Sequence, residues 1–253
     1  MAVMRGARVV YHVHSPRPAG LAPREVEEVI ARHPIATGHL EVKAVDTDAD
    51  LEASRQLLSQ PKDFSPALPF DVYAQLRQAK WVYHVESTEF EPEDLNYLRQ
   101  TLLVAGELAA MTDGLIVDSI AYMTLAAEDV VRQVDRPFDP LHHVSIHVDR
   151  GARPFFVHTH GMEKFGHPDF ELLGVPRESL DVARQLLRHL IAAVVSGGCF
   201  RPGEETQLCG FGFSFRDPQS DDPTHFSSGS IALCDFRLAT DAATFEMQAL
   251  LTA

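Results

Sequence analysis

Val10-Tyr11-His12-Val13 and Val82-Tyr83-His84-Val85 are one four-residue phrase met twice, and each copy is followed by a helix that a proline opens, at Pro23-Arg24-Glu25-Val26 and Pro92-Glu93-Asp94-Leu95. The phrase is rich in β-branched and aromatic residues. Turn formers bound the first copy at Ser15-Pro16-Arg17-Pro18, so both copies read as strands. A weaker echo is Ser145-Ile146-His147-Val148-Asp149. Two origins stand open: a duplicated β-α unit, and two buried strands drawn from the same small set of β formers.

Outward from these strands, the apolar stripe Val26, Val29, Ile30 predicts a helix from Pro23 to about His33. Residues 39–45 alternate as a strand, and 49–59 read as a modest helix. Pro61, Pro66 and Pro69 make 60–71 a loop or a boundary, which predicts a β-α-β-α subdomain over 1–60 and a main α+β domain over 72–253, or one continuous domain. Leu95, Leu98, Leu102, Ala105 and Ala109 share one face of a helix from Pro92 to about Met111, with Gly114 as its left-handed cap. Leu180, Ala183, Leu187, Leu190 and Val194 do the same over about 178–195.

Beyond that helix, 207–215 and 230–238 read as an antiparallel strand pair with an aromatic inward face, and a last helix falls at about 241–251. Strands outnumber helices toward the end of the chain. The fold class expected is therefore α+β, with a mixed or antiparallel sheet packed against helices, rather than a doubly wound parallel sheet.

The 253 residues are 45% hydrophobic and 23% charged, ordinary values for a packed protein. The formal net charge of −14 repels phosphate, and the arginines are scattered, so nucleic acid is excluded as a partner and a cationic peptide or basic protein is favoured. His12 and His14 interrupt any leader-like apolar run, and no apolar stretch reaches membrane-spanning length; the expectation is a cytoplasmic protein without a membrane partner. Cys199, Cys209 and Cys234, an odd number without CxxC spacing, read as reduced thiols.

The densest chemistry lies in Phe155-Phe156-Val157-His158-Thr159-His160-Gly161-Met162-Glu163-Lys164-Phe165-Gly166-His167-Pro168-Asp169-Phe170-Glu171. On a strand His158 and His160 share a face, as two imidazoles binding one metal do, with His167, Asp169 or Glu171 available after the turn. The bland reading is a strand end whose histidines hydrogen-bond to neighbouring loops. A second metal reading takes His147-Val148-Asp149 as two thirds of a facial triad, His225 as the third ligand and Arg237 as an anchor for an acidic co-substrate. Gly210-Phe211-Gly212 lacks the third glycine of a dinucleotide loop, and Ser214 lacks the second glycine of a nucleophile elbow.

The segment His158 to Glu171 resembles a group of uncharacterised bacterial domains in which a Thr-x-Gly-Leu/Met-x-x-Phe-Gly-x-Pro-Asp/Glu-x-Glu stretch precedes a long helix. With Gly114-Leu115-Ile116-Val117-Asp118 the likeness extends over about residues 80–215. It implies a fold type and an accessory or immunity-like role, and it carries over no catalytic residue.

The function expected from these readings is a non-catalytic peptide- or protein-binding accessory protein, needing no cofactor or metal. Its binding residues are Phe156, His158, His160, Met162, Phe165, His167, Asp169 and Glu171. The alternative is a metal-dependent enzyme, a hydrolase through His158 and His160 or an iron oxygenase through His147, Asp149 and His225. A homodimer is compatible with either.

Overall fold

The computed structural model describes residues 6–49, 70–90, 92, 94–149, 155–198 and 200, and the strand segments 205–208, 211–216 and 231–234. The chain divides into two compact units, Arg5–Asp139 and a second that runs from Pro140 onward. Within each, helices pack on a sheet, so the α+β class holds.

In the first unit the elements follow in the order β1 (Ala7–Ser15), α1 (Pro23–Arg32), β2 (His39–Asp46), α2 (Phe70–Arg77), β3 (Trp81–Glu89), α3 (Asn96–Thr112), β4 (Leu115–Asp118), β5 (Met123–Leu125) and α4 (Ala127–Val134). The strands form an antiparallel sheet in the order β2-β3-β1-β4-β5. Each half, β1-α1-β2 and β3-α3-β4, sends its second strand to pair with the first strand of the other half. Setting α2 and β5 aside, this is the β-α-β-β-α-β order called ferredoxin-like. The repeated phrase lies at its centre: β1 and β3 run antiparallel with His12 directly opposite His84, so the two copies are related by a local two-fold between those histidines.

Alternation along β1 and β3 gives each sheet face its character. Tyr11, Val13, Tyr83, Val85 and Ser87 are fully buried, and Ser87 accepts a hydrogen bond from Thr101 of α3 at 2.7 Å, which identifies the helix-covered face. Leu98, Leu102, Ala105 and Ala109 are buried on α3 as their spacing predicts. The other face carries Arg8, His12, His84, Glu86 and Val117. Part of it is covered by α2, whose Leu76 packs with Val117 and Leu115.

The second unit has β6 (Ser145–Asp149), β7 (Phe155–His160), β8 (Phe170–Val175), α5 (Leu180–Val195), β9 (Glu205–Leu208), β10 (Phe211–Arg216) and β11 (Ile231–Cys234). Its sheet order is β6-β7-β8-β11-β10-β9, antiparallel except for the parallel pair β8/β11. Val157, Phe170, Leu172 and Phe215 meet Ala183, Leu187, Leu190 and Ile191 of α5 in one core.

Several expectations are corrected. The division between units falls at 139/140, not within 60–71, because β1 and β2 on one side of that stretch pair with β3 on the other. The expected strand 207–215 is two antiparallel strands, β9 and β10, on either side of Cys209-Gly210. The 92–111 helix begins at Asn96, and Asp113 (φ 50°) takes the left-handed cap position assigned to Gly114. α2 and α4 were not foreseen. The helices expected over 49–59 and 241–251 lie outside the described residues. Among the described residues no helix is long and apolar enough to cross a membrane.

Candidate functional sites: two histidine rows

In the second unit, the His158 to Glu171 stretch closes the β7/β8 hairpin. Gly161 (φ 122°) and Gly166 (φ 67°) hold positive φ on either side of a 3-10 turn, Met162–Phe165, a conformation side chains disfavour. Asp169 Oδ1 accepts hydrogen bonds from Thr159 Oγ1 (2.9 Å) and Met162 N (3.2 Å), and Thr159 Oγ1 in turn accepts one from Phe170 N (2.9 Å). Burial raises the Asp169 carboxyl to about 7, against the lowering effect of the bonds from Met162 and Thr159. Met162 and Phe170 enter the core, and Lys164, fully buried, donates to the His143 carbonyl at 3.1 Å. His167 Nδ1 donates to Pro168 O at 2.7 Å.

The expected binding residues therefore separate. Phe156, His158, Met162, His167 and Glu171 are buried, whereas His160, Phe165 and Asp169 are half-buried. Phe165 packs against the core of this unit.

Register joins two motifs that look independent in the sequence. His147 on β6 lies directly opposite His158 on β7, and Glu171 on β8 lies opposite His158 on its other side. The rings of His147, His158 and His160 are mutual neighbours, with centres 5.7, 5.0 and 4.7 Å apart for the 147/158, 147/160 and 158/160 pairs. His158 Nε2 and His160 Nε2 are 3.0 Å apart, Ser145 Oγ and His147 Nε2 2.8 Å, and Phe156 stacks on His158 at 4.6 Å. Burial lowers all three imidazoles, His158 to about 4 and His160 to about 3, and for those two the neighbouring imidazoles add to it. Among the described residues no three His, Cys, Asp or Glu side chains stand as a ready-made metal site. His225 and Arg237 lie outside the described residues.

The first unit holds a row that the sequence reading treated only as strand. Ser119 Oγ lies 2.7 Å from His12 Nδ1, His12 Nε2 lies 2.7 Å from His84 Nδ1, and His84 Nε2 lies 2.9 Å from Glu86 Oε2. Arg8 Nε donates to Glu86 Oε1 at 2.7 Å. Half-burial pushes the Glu86 carboxyl up, but the bonds from Arg8 and His84 outweigh it and leave the group below the ordinary range. An ionised carboxylate only accepts, which fixes the direction of the row. His84 gives its Nε2 proton to Glu86, His12 gives its Nε2 proton to His84, and Ser119 gives its hydroxyl proton to His12 Nδ1.

Ser119 follows β4 immediately, and its N–H continues the sheet by donating to Val10 O at 3.2 Å. The two following N–H groups, of Ile120 and Ala121, donate to Asp118 Oδ1 at 3.2 and 2.9 Å. His12 is 2% exposed, Ser119 and His84 are half-buried, and the row emerges at the exposed Arg8. Next along β1, His14 is 1% exposed, and among the described residues neither of its ring nitrogens has a hydrogen-bond partner. Burial lowers it to about 4. The signal for this row was the histidine repeated within Val-Tyr-His-Val; Ser119 has no local motif to mark it.

No protein-family model, no curated protein and no solved structure matches the chain.

Proposed function

We propose that the first unit is the catalytic part of a serine-dependent hydrolase of activated acyl compounds, with Ser119 as nucleophile and His12 as its general base. The single observation behind this reading is the unbroken, one-directional row Ser119–His12–His84–Glu86. A weak nucleophile within hydrogen-bond reach of a base, itself oriented by a further group, is the arrangement that activates a hydroxyl. Ser119 Oγ attacks the acyl carbonyl while its proton passes to His12 Nδ1. The positive charge on His12 is stabilised through His84 by the Glu86 carboxylate. Collapse of the tetrahedral intermediate expels the leaving group, which takes the proton from His12. Water, deprotonated by His12, then releases the acid and restores the serine.

The reaction class follows from the surrounding backbone. Because the Ile120 and Ala121 N–H groups are committed to Asp118, they do not stabilise a developing oxyanion. That favours esters and thioesters, whose leaving groups depart readily, over amides.

The test is labelling of the full chain with a fluorophosphonate, alongside hydrolysis of p-nitrophenyl butyrate near neutral pH. Modification of Ser119 by mass spectrometry, and turnover lost in Ser119→Ala and in His12→Gln while both stay folded by circular dichroism, is the expected result. A folded wild-type chain that neither labels at Ser119 nor turns over the ester sinks the proposal.

A second reading, a cationic peptide or basic protein bound beside 155–171, draws on the net charge of −14 and the partial exposure of His160, Phe165 and Asp169. Calorimetric titration with a lysine-rich peptide checks it. Heat that is abolished by Phe165→Ala supports it, and no saturable heat removes it.

A further inference from the structure

Ser119 opens and Tyr122 closes the four-residue turn that joins β4 to β5, since Asp118 and Met123 pair across its neck. Tyr122 has φ 54°, in the left-handed region. Among the described residues two non-glycines adopt positive φ, and the other, Asp113, caps α3, where a short polar side chain commonly does so. For a bulky aromatic residue the same conformation is an outlier, and glycine or asparagine would close the turn without the steric penalty. The turn is held from within by the buried Asp118, whose Oδ1 accepts from Ile120 N and Ala121 N. A strained position is thus fixed by its surroundings and filled with a phenol ring that is 37% exposed. Strain of this kind gathers where a side chain serves a ligand.

Sheet order determines which part of a substrate that ring would meet. β4 lies between β1 and β5. His12 of β1 therefore flanks Ser119 on one side, its Nδ1 2.7 Å from the hydroxyl oxygen, and Tyr122, at the β5 end of the turn, flanks it on the other. When the tetrahedral intermediate collapses, the bond from the acyl carbon to the leaving atom breaks and that atom takes the proton from His12 Nδ1, which puts the leaving group on the β1 side. The acyl portion then extends toward β5. The Cα atoms at the two ends of a four-residue turn are less than about 7 Å apart, so a tyrosine ring at one end reaches an acyl group held at the other.

We propose that Tyr122 is the specificity-determining residue of the Ser119 site and selects substrates with a flat, apolar acyl group such as benzoyl. The proposal rests on the hydrolase reading. An aromatic acyl group stacks on a tyrosine ring with ring centres about 4.5–7 Å apart, a contact that an acetyl group cannot make.

The test measures kcat/KM of the full chain on p-nitrophenyl benzoate and p-nitrophenyl acetate, with fluorophosphonate labelling of Ser119 run beside it. Tyr122→Gly is expected to lower the benzoate-to-acetate ratio about ten-fold, chiefly through KM for the benzoate, and Tyr122→Phe to keep the wild-type ratio. Glycine accepts the positive φ, so a purely structural role for the tyrosine would leave the ratio where it is. An unchanged ratio in folded Tyr122→Gly overturns the proposal, while Ser119 labelling and acetate turnover in the same experiment leave the hydrolase reading standing. A wild-type chain that neither labels at Ser119 nor turns over either ester removes both. Where Tyr122→Gly does not fold, Tyr122→Asn, a residue also tolerated at positive φ, serves for the same comparison.

Discussion

Both sheets set one histidine directly opposite another on a neighbouring antiparallel strand, His12 with His84 and His147 with His158, yet the two pairs differ in what surrounds them. The first pair is linked nitrogen to nitrogen and continued by a hydroxyl at one end and a carboxylate at the other. The second is stacked ring on ring, with a third imidazole and a phenyl ring beside it. A carboxylate at the end of a row gives every proton in it a direction. Register alone makes the pair, and the flanking residues decide its chemistry.

Substitutions that interrupt one pair and spare the other separate these roles. The largest effect is expected in the first unit, where His12→Gln lowers ester hydrolysis by about 10²–10⁴-fold and His158→Ala leaves it unchanged; equal losses in initial-rate assays would mean that the rows are not distinct. Glu86→Gln, which leaves base and nucleophile in place but removes the charge at the end of the row and the acceptor that fixes its tautomers, is expected to lower kcat by up to about 10⁴-fold. Full activity in that variant would show that the carboxylate has no directing role.

The next effect is on stability. Native His14 is lowered to about 4 by burial, whereas its unfolded value is about 6.5. Between these values the unfolded chain binds a proton that the native chain does not. Stability is therefore complete above pH 6.5 and declines by about 3 kcal/mol as pH falls toward 4. Urea unfolding followed through Trp81, the single tryptophan, which lies in the same sheet, should show the decline, and His14→Phe should flatten it.

Asp169 in the second unit has the opposite sign. Its carboxyl is raised from 3.8 to about 7, so the native state holds a proton that the unfolded state has released, and stability is lost as pH rises through that window. Asp169→Ala removes the acceptor for Thr159 and Met162 and is expected to cost about 1–3 kcal/mol. Asp169→Asn keeps the acceptor and should cost less than the alanine change at pH 7 by thermal melting. The smallest effect is that of Arg8→Ala, whose ion pair with Glu86 is largely exposed on the arginine side. It is expected to cost no more than about 1 kcal/mol in the same urea assay.

Much of the fold was legible because it is written locally. The stripes Leu98/Leu102/Ala105/Ala109 and Ala183/Leu187/Leu190/Val194 are helical spacings whose buried faces need no distant information. The α+β class followed from strands and helices recognised in this way. The division at 139/140 was not legible, since it depends on which strands pair, and prolines in 60–71 report only the local backbone. The site shows the same limit. His158 and His160 stand two apart and announce a shared face, whereas Ser119, His12 and His84 become one row only through registers between strands far apart in the chain. Within 155–171, Lys164, Glu171 and His167 are buried parts of the hairpin, a burial that polar residue types do not announce in sequence.

The interleaving of the two β-α-β halves has a kinetic consequence. Closing the His12/His84 contact spans 72 residues of chain, and the Ser119/His12 contact spans 107. Contacts of such sequence separation pay their loop-closure entropy before they return any stabilisation, so they are slow to form. Catalytic competence should then emerge only with the last, rate-limiting stage of refolding, well after helical circular dichroism has recovered.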